Sequence, residues 1–285
     1  MKRVATHLLA ALLWVIATNV AAQDRSRVLL EAGDVRVDVI VDKNRGEPGP
    51  AMVLLPSSQR DSEEFDDFAS RLAARGYTVL RPQPRGMGQS RGPMAGLDLS
   101  VLARDVALTI ERLGKGRAIV VGHAYGHWVA RVTDLNHAPL VRGVVVLGAA
   151  ARVFPPKVAD ALVIASDPNK PEADRLAALQ FAFFAPGQDP RPWLHGWHPA
   201  LHLVYRQAGQ TPPKEVWFGV SNAPILDLLG AQDPWRPPAT QDELKRVLGD
   251  KVTVQVIDNA SHAMIAEQPA AIVEAITQWA KLLAP

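Results

Sequence analysis

Ala118-Ile-Val-Val-Gly-His-Ala-Tyr-Gly-His-Trp-Val-Ala-Arg131 is where one structural period gives way to another. Its first four residues, Ala118 to Val121, form an unbroken apolar run, the pattern of a strand buried on both faces. Beyond Gly126, apolar residues recur at helical spacing, at Val129, Val132 and Leu135. Gly122 and Gly126 bracket the change. With no side chains, they let the backbone turn sharply and let strand and helix pack closely. The stretch therefore predicts strand, tight turn, helix, with Ala124 held at the end of the strand. That residue carries only a methyl group.

Working outward, the same apolar runs recur. Ala51 to Leu55, Tyr77 to Leu80, Val141 to Leu147, Ala223 to Leu229 and Val252 to Ile257 read as strands. Glu64 to Ala74 and Leu99 to Leu113 carry helical spacing, as does a closing segment with Ile272, Val273, Ile276 and Trp279. Arg27 to Glu31 and Val35 to Val41 alternate like an antiparallel pair joined at Gly33-Asp34. Strand alternating with helix implies a doubly wound, mostly parallel α/β sheet with right-handed crossovers. From Arg152 to about Phe218 the alternation breaks, and Pro, Trp and His become frequent.

Three short segments now fall into one order. Gly122-His-Ala-Tyr-Gly126 has the context of a Gly-x-Ser-x-Gly nucleophile elbow, Gly230-Ala-Gln-Asp233 resembles an acid turn, and Asn259-Ala-Ser-His262 resembles a histidine loop. Together they resemble the α/β-hydrolase family over residues 48 to 283, with Ala124 in place of the elbow serine. The resemblance implies a hydrolase core over residues 23–151 and 219–285, and a helical cap inserted at 152–218. Trp193, Trp197, Phe183 and Phe184 of the cap would shape an apolar substrate pocket. Asp233 and His262 would be the acid and base of a catalytic dyad. The backbone N–H groups of Tyr125 and of Ser57 or Ser58 would form an oxyanion hole. Arg81-Pro-Gln-Pro-Arg85-Gly-Met-Gly-Gln-Ser90 is similar to a structural loop of the family, with Arg85 expected on backbone carbonyls.

Each of these residues also has a plainer reading. Ser57 and Ser58 suit a turn that caps the next helix. Asp233 suits a turn before Pro234, and His262 a loop. Tyr125 either donates its phenol into the pocket or packs its ring under the cap. His123 is expected to pack or hydrogen-bond inside the fold, and His127 to point along the start of the helix.

Composition narrows the rest. The 285 residues are 48% hydrophobic, enough to bury a large core. Lys2 and Arg3, the apolar stretch Leu8 to Ile16 and the small residues Val20-Ala-Ala22 have the form of a secretory signal peptide over residues 1–22, with Gln23 the first mature residue. This implies a periplasmic or secreted protein with no stable membrane insertion after cleavage. The chain has no cysteine, which removes disulfides, thiolate metal sites and a cysteine nucleophile. Without Lys2 and Arg3, the 31 basic residues fall to 29, against 29 acidic ones, so no nucleic-acid partner is expected. His195, His198 and His202 have ligand-capable side chains. Pro199 is expected to begin a helix carrying only His202, however, and neither a metal nor another cofactor is expected.

An alanine elbow cannot form an acyl-enzyme. The sequence therefore implies an exported α/β-hydrolase-fold enzyme acting on a small apolar ester or carbonyl substrate, with the His262–Asp233 dyad as general base and no serine nucleophile. The alternative is a ligand-binding pseudo-hydrolase without turnover.

Overall fold

The computed structural model describes residues 23–44 and 49–284. The expected signal peptide, residues 1–22, lies outside the described residues. In chain order the first elements are β1 (Gln23–Ala32), β2 (Val35–Asn44), β3 (Ala51–Leu55), α1 (Asp66–Ala74), β4 (Thr78–Pro82), α2 (Leu99–Leu113), β5 (Ala118–His123), α3 (Tyr125–Asn136) and β6 (Val141–Leu147). Next come four helices, α4 (Pro156–Ser166), α5 (Glu172–Ala182), α6 (His202–Ala208) and α7 (Lys214–Trp217). The chain then continues through β7 (Ile225–Gly230), α8 (Glu243–Leu248), β8 (Val252–Ile257), α9 (Met264–Glu267) and α10 (Pro269–Ala280).

The strands form one eight-stranded sheet in the order β1-β2-β4-β3-β5-β6-β7-β8. β1 and β2 form an antiparallel hairpin, β2 joins β4 antiparallel, and every pairing from β4 to β8 is parallel. The period of two along each buried strand divides the core between the two faces. Val53, Leu55, Val120, Val144 and Val146 pack with Leu102, Val106 and Ile110 of α2 and Val129 and Val132 of α3. Met52, Leu54, Ile119, Val121, Val145 and Leu147 face the other way, onto Phe68 and Leu72 of α1 and Ile276 and Trp279 of α10. This is a doubly wound, mostly parallel α/β fold.

Local differences from the sequence reading have local causes. The helix expected from Glu64 begins as a 3-10 turn, Ser62–Phe65, capped by the Asp61 carboxylate, and only then becomes α1. Ser62 is buried there because its Oγ donates to the carbonyl of Pro82, which fixes the turn against the end of β4. Arg85 bonds the carbonyl of Pro93 as expected, but its main partner is Asp105 of α2, engaged by Nε and Nη2 at 2.7 and 2.8 Å. Pro199 opens a 3-10 turn, and α6 starts at His202. The hydrophobic residues of α4 and α5 do not join either sheet-facing cluster. They form a third one with Phe183, Phe184, Trp193, Trp235 and Ala263.

Candidate active site

The elbow is built by close approach. A Cβ at Gly122 would lie 2.4 Å from the Gly126 carbonyl carbon, and one at Gly126 would lie 2.2 Å from the carbonyl oxygen of Leu55. Strand β5, helix α3 and strand β3 can meet at this distance only without those side chains. The turn holds Ala124 at φ 45°, ψ −116°, a left-handed conformation that is costly for a residue with a Cβ. Its N–H donates to the carbonyl of Leu147 on the neighbouring strand, which keeps the turn pinned to the sheet.

Asp233 and His262, the residues expected as acid and base, lie beyond the last two strands, β7 and β8. Asp233, in the turn after β7, places Oδ2 3.0 Å from Nδ1 of His262, in the loop after β8. Asp233 Oδ1 accepts from the backbone N–H of Trp235 at 2.8 Å, so the carboxylate is oriented by its own turn. An acceptor at Nδ1 puts the imidazole proton there and leaves Nε2 as the basic nitrogen. Both side chains are buried. The ring is bounded by Trp235, tilted 30° with centroids 5.1 Å apart, by Phe183 at 5.6 Å and by His123 at 5.4 Å.

The loop carrying His262 is fixed from three sides. His123 Nε2 donates to the carbonyl of His262 at 2.8 Å, and burial, with the neighbouring His262, pushes the His123 ionisation down to about 3. The ring is thus neutral, with its proton on the donating nitrogen. Ala263 N–H donates to the carbonyl of Phe183, and the Glu267 carboxylate accepts from the N–H groups of Ser261 and Ala185 at 2.6 Å each. The acid turn has its own strut: the buried Arg236 guanidinium bonds Asp227 of β7 at 2.9 Å and the carbonyls of Thr240 and Gln241.

Beyond β3, the chain turns at Gln59 with φ 65° and carries Arg60 inward. Arg60 Nε donates to Glu64 at 2.8 Å and Nη1 to the carbonyl of His195 at 2.6 Å, while the guanidinium lies 4.7 Å from the Trp193 ring and 4.9 Å from that of Trp197. Burial pushes the Glu64 carboxyl up, opposed by Arg60 and by the backbone N–H of Ser57 turned toward it. The N–H groups of Ser57, Ser58 and Tyr125 donate to no backbone carbonyl among the described residues.

These elements enclose a cavity of about 170 Å³. Ala124, Tyr125, Ser57, Ser58, Trp193, Trp197 and His262 all line it, and Asp233 stands behind His262. Phe184 does not. It is buried against Trp193 outside the cavity, and Phe183 lines the wall in its place. The reason is the end of α5: Phe183 caps the helix, and its side chain faces His262. The phenol of Tyr125 is buried without a hydrogen-bond partner, its ring packed against Trp128 and Tyr205, and burial and Asp98 push its ionisation up.

Sequence reading also missed several wall residues. His127 lines the cavity instead of simply following the helix start, because its Nδ1 turns back to the carbonyl of Ala124. Arg60, Trp128, Phe154, Leu162 and Trp235 complete much of the rest. Trp235 follows Asp233 by two residues, which was the available signal. Arg60 had none. Of the three histidines weighed as ligands, His198 bonds Asp61 at 2.9 Å and His202 accepts from Gln59 at 2.9 Å. Among the described residues there is no group of three or more side chains placed to hold a metal, and no helix long and apolar enough to cross a membrane.

Comparison with known proteins agrees with this architecture. Residues 52–275 match the model of the alpha/beta hydrolase family. The chain is 32% identical over 99 residues to a 2-(acetamidomethylene)succinate hydrolase from Mesorhizobium japonicum, a stretch covering 35% of each chain. It is 27% identical over 145 residues to a 2-heptyl-3-hydroxy-4(1H)-quinolone dioxygenase from Mycobacteroides abscessus, covering 50% of this chain and 54% of that one. The chain thus spans about a third to a half of the length of these curated relatives. Among solved structures, an esterase from Exiguobacterium antarcticum superposes with a TM-score of 0.71 at 20% identity, covering 89% of this chain and 98% of that one, a likeness of fold. With its sheet order, its glycine-bracketed elbow and a family match over most of its length, the chain belongs to the alpha/beta hydrolase family.

Proposed function

We propose that the chain is an exported enzyme that acts on a small, largely apolar ester or carbonyl compound, using His262 as general base and no serine nucleophile. One observation carries this reading: a buried imidazole bonded to Asp233 at 3.0 Å and lining the same cavity as Ala124. The pair has the geometry of a general base, with a methyl group at the elbow position. His262 Nε2 would take a proton from a water, or from the ligand itself, and Asp233 would stabilise the imidazolium that forms. The N–H groups of Tyr125 and of Ser57 or Ser58 would receive the developing negative oxygen. Residues 152–218 act as the cap, since Phe183, Trp193 and Trp197 close the aromatic side of the cavity. Its volume, about 170 Å³, is near that of an apolar cavity of about 150 Å³ that accepts benzene. The relatives' names span hydrolysis and dioxygenation, so the dyad alone supports the reaction type.

The test is hydrolysis of p-nitrophenyl acetate and butyrate by the chain from Gln23 onward, beside His262→Ala and Ala124→Ser. Turnover by the parent that disappears in His262→Ala supports the proposal. A second reading, ligand binding without turnover, draws on the bare methyl of Ala124. An inert parent with a clear gain in Ala124→Ser would favour it. The N-terminal pattern supports export, which fractionation of cells expressing the full chain would test.

A further inference from the structure

Two imidazoles that line the cavity, His123 and His127, have no part in the dyad. His127 occupies the first turn of α3, and its ring is buried between Trp128 and Trp217, with centroid distances of 6.2 and 6.4 Å. Its Nδ1 is in close hydrogen-bond contact with the carbonyl oxygen of Ala124. A carbonyl can only accept, so the imidazole proton must sit on Nδ1. Nε2 forms no hydrogen bond with any described residue. Unlike His123 Nδ1, it is not among the polar atoms sealed off without a partner. In a neutral ring, that nitrogen presents a lone pair.

The surroundings keep the ring neutral. Burial, with Lys214 and Arg131 nearby, holds its ionisation well below the ordinary histidine range. Its place in the first turn of a helix acts the same way, since the positive end of the helix dipole disfavours a cation. The cavity wall otherwise offers mainly aromatic faces and donors. The guanidinium of Arg60, the N–H groups of Ser58 and Tyr125 and the serine hydroxyls can all donate to an oxygen of the ligand. Beside the rotatable serine hydroxyls, His127 Nε2 adds an acceptor of fixed direction that is distinct from the base.

We infer that His127 is a specificity-determining residue whose Nε2 accepts a hydrogen bond from the ligand, so that the preferred ligand is a planar, mostly apolar compound bearing an N–H or O–H donor. This deepens the reading under "Proposed function", because it concerns the same cavity. It does not need turnover. The elbow carbonyl fixes the tautomer, the tautomer fixes the acceptor, and the acceptor selects a donor on the ligand. A ligand lacking that donor leaves Nε2 unpaired in a desolvated wall, and such a mismatch is where binding sites discriminate best.

The test is calorimetric titration with indole and benzofuran, bicyclic rings of similar size that differ in a single N–H. The parent is expected to bind indole about tenfold more tightly than benzofuran. His127→Leu should bring the two affinities together while benzofuran binding persists, which shows that the cavity is intact. His127→Gln, whose amide oxygen can accept, should restore part of the preference. Failure of the parent to prefer indole overturns the inference, as does a preference that survives His127→Leu. A failed dyad reading would show instead as absent ester turnover with the indole preference unchanged.

Discussion

Trp235 is bound to Asp233 through the backbone and faces the partner of that carboxylate through its ring. Its N–H donates to Asp233 Oδ1 at 2.8 Å, and its indole lies against His262. One residue thereby divides the two oxygens of the acid, Oδ1 for its own turn and Oδ2 for the imidazole. Asp233→Asn should break this arrangement with little change in shape. An amide can offer N–H to Nδ1 and hold the imidazole in the wrong tautomer. The proposed ester turnover should fall by about 10³–10⁴-fold, with unfolding midpoints nearly unchanged. Equal kcat/KM for Asp233→Asn and parent would remove the acid from the mechanism.

The elbow stores backbone strain. A non-glycine residue at a φ like that of Ala124 costs about 1–3 kcal/mol. Glycine relieves this but adds about 0.5–1 kcal/mol of chain entropy. Ala124→Gly should therefore stabilise the protein by about 1 kcal/mol in urea unfolding. Gly126→Ala should do the reverse and severely, because its Cβ meets the carbonyl of Leu55 at 2.2 Å. A destabilised Ala124→Gly would mean the turn is not strained.

Arg60 and Glu64 form a buried ion pair beneath two indoles, and removing one partner leaves an uncompensated group. Arg60→Ala should cost about 3–5 kcal/mol of stability. The double variant Arg60→Ala, Glu64→Ala should recover a part of that, although the two stacking contacts with Trp193 and Trp197 stay lost. A double-mutant cycle by chemical denaturation reads the coupling, and purely additive effects would deny the pair its role.

Asp227 makes stability depend on pH. It is buried on β7, one oxygen has no partner, and burial pushes its carboxyl up to about 6, against the opposing pull of Arg236 and Arg131. A folded value above the unfolded one means that folding favours the protonated acid. Its contribution is full below the unfolded value, near 3.8, and is lost as pH rises through about 6. Unfolding curves should show the parent losing ground relative to Asp227→Asn between pH 4 and pH 7. A difference that stays flat or grows over that range contradicts the assignment.

Much of this was legible in the chain itself, for physical reasons that also mark where legibility ends. Ala118 to Val121, Gly122, Gly126, Asp233 and His262 sit where strands end, and strand ends are announced by local pattern. The cavity wall is a matter of side-chain direction across distant segments. Whether Phe183 or Phe184 faces His262 depends on where α5 unwinds, which apolar spacing does not specify. Arg60 reaches Trp193 and Trp197 only because Gln59 takes a left-handed conformation that nothing in its neighbours demands. His127 looked like an ordinary first-turn residue until the Ala124 carbonyl claimed its Nδ1.

The most direct measurement is rapid-mixing release of p-nitrophenol from p-nitrophenyl acetate, followed by intact-mass analysis of the protein. With no nucleophile at Ala124, the account predicts linear product release, no acylated protein in the parent, and loss of the rate in His262→Ala. Ala124→Ser should instead show a burst and a gain of one acetyl mass. A burst or an acetylated species in the parent, or a rate indifferent to His262, would contradict the claim that the dyad works alone.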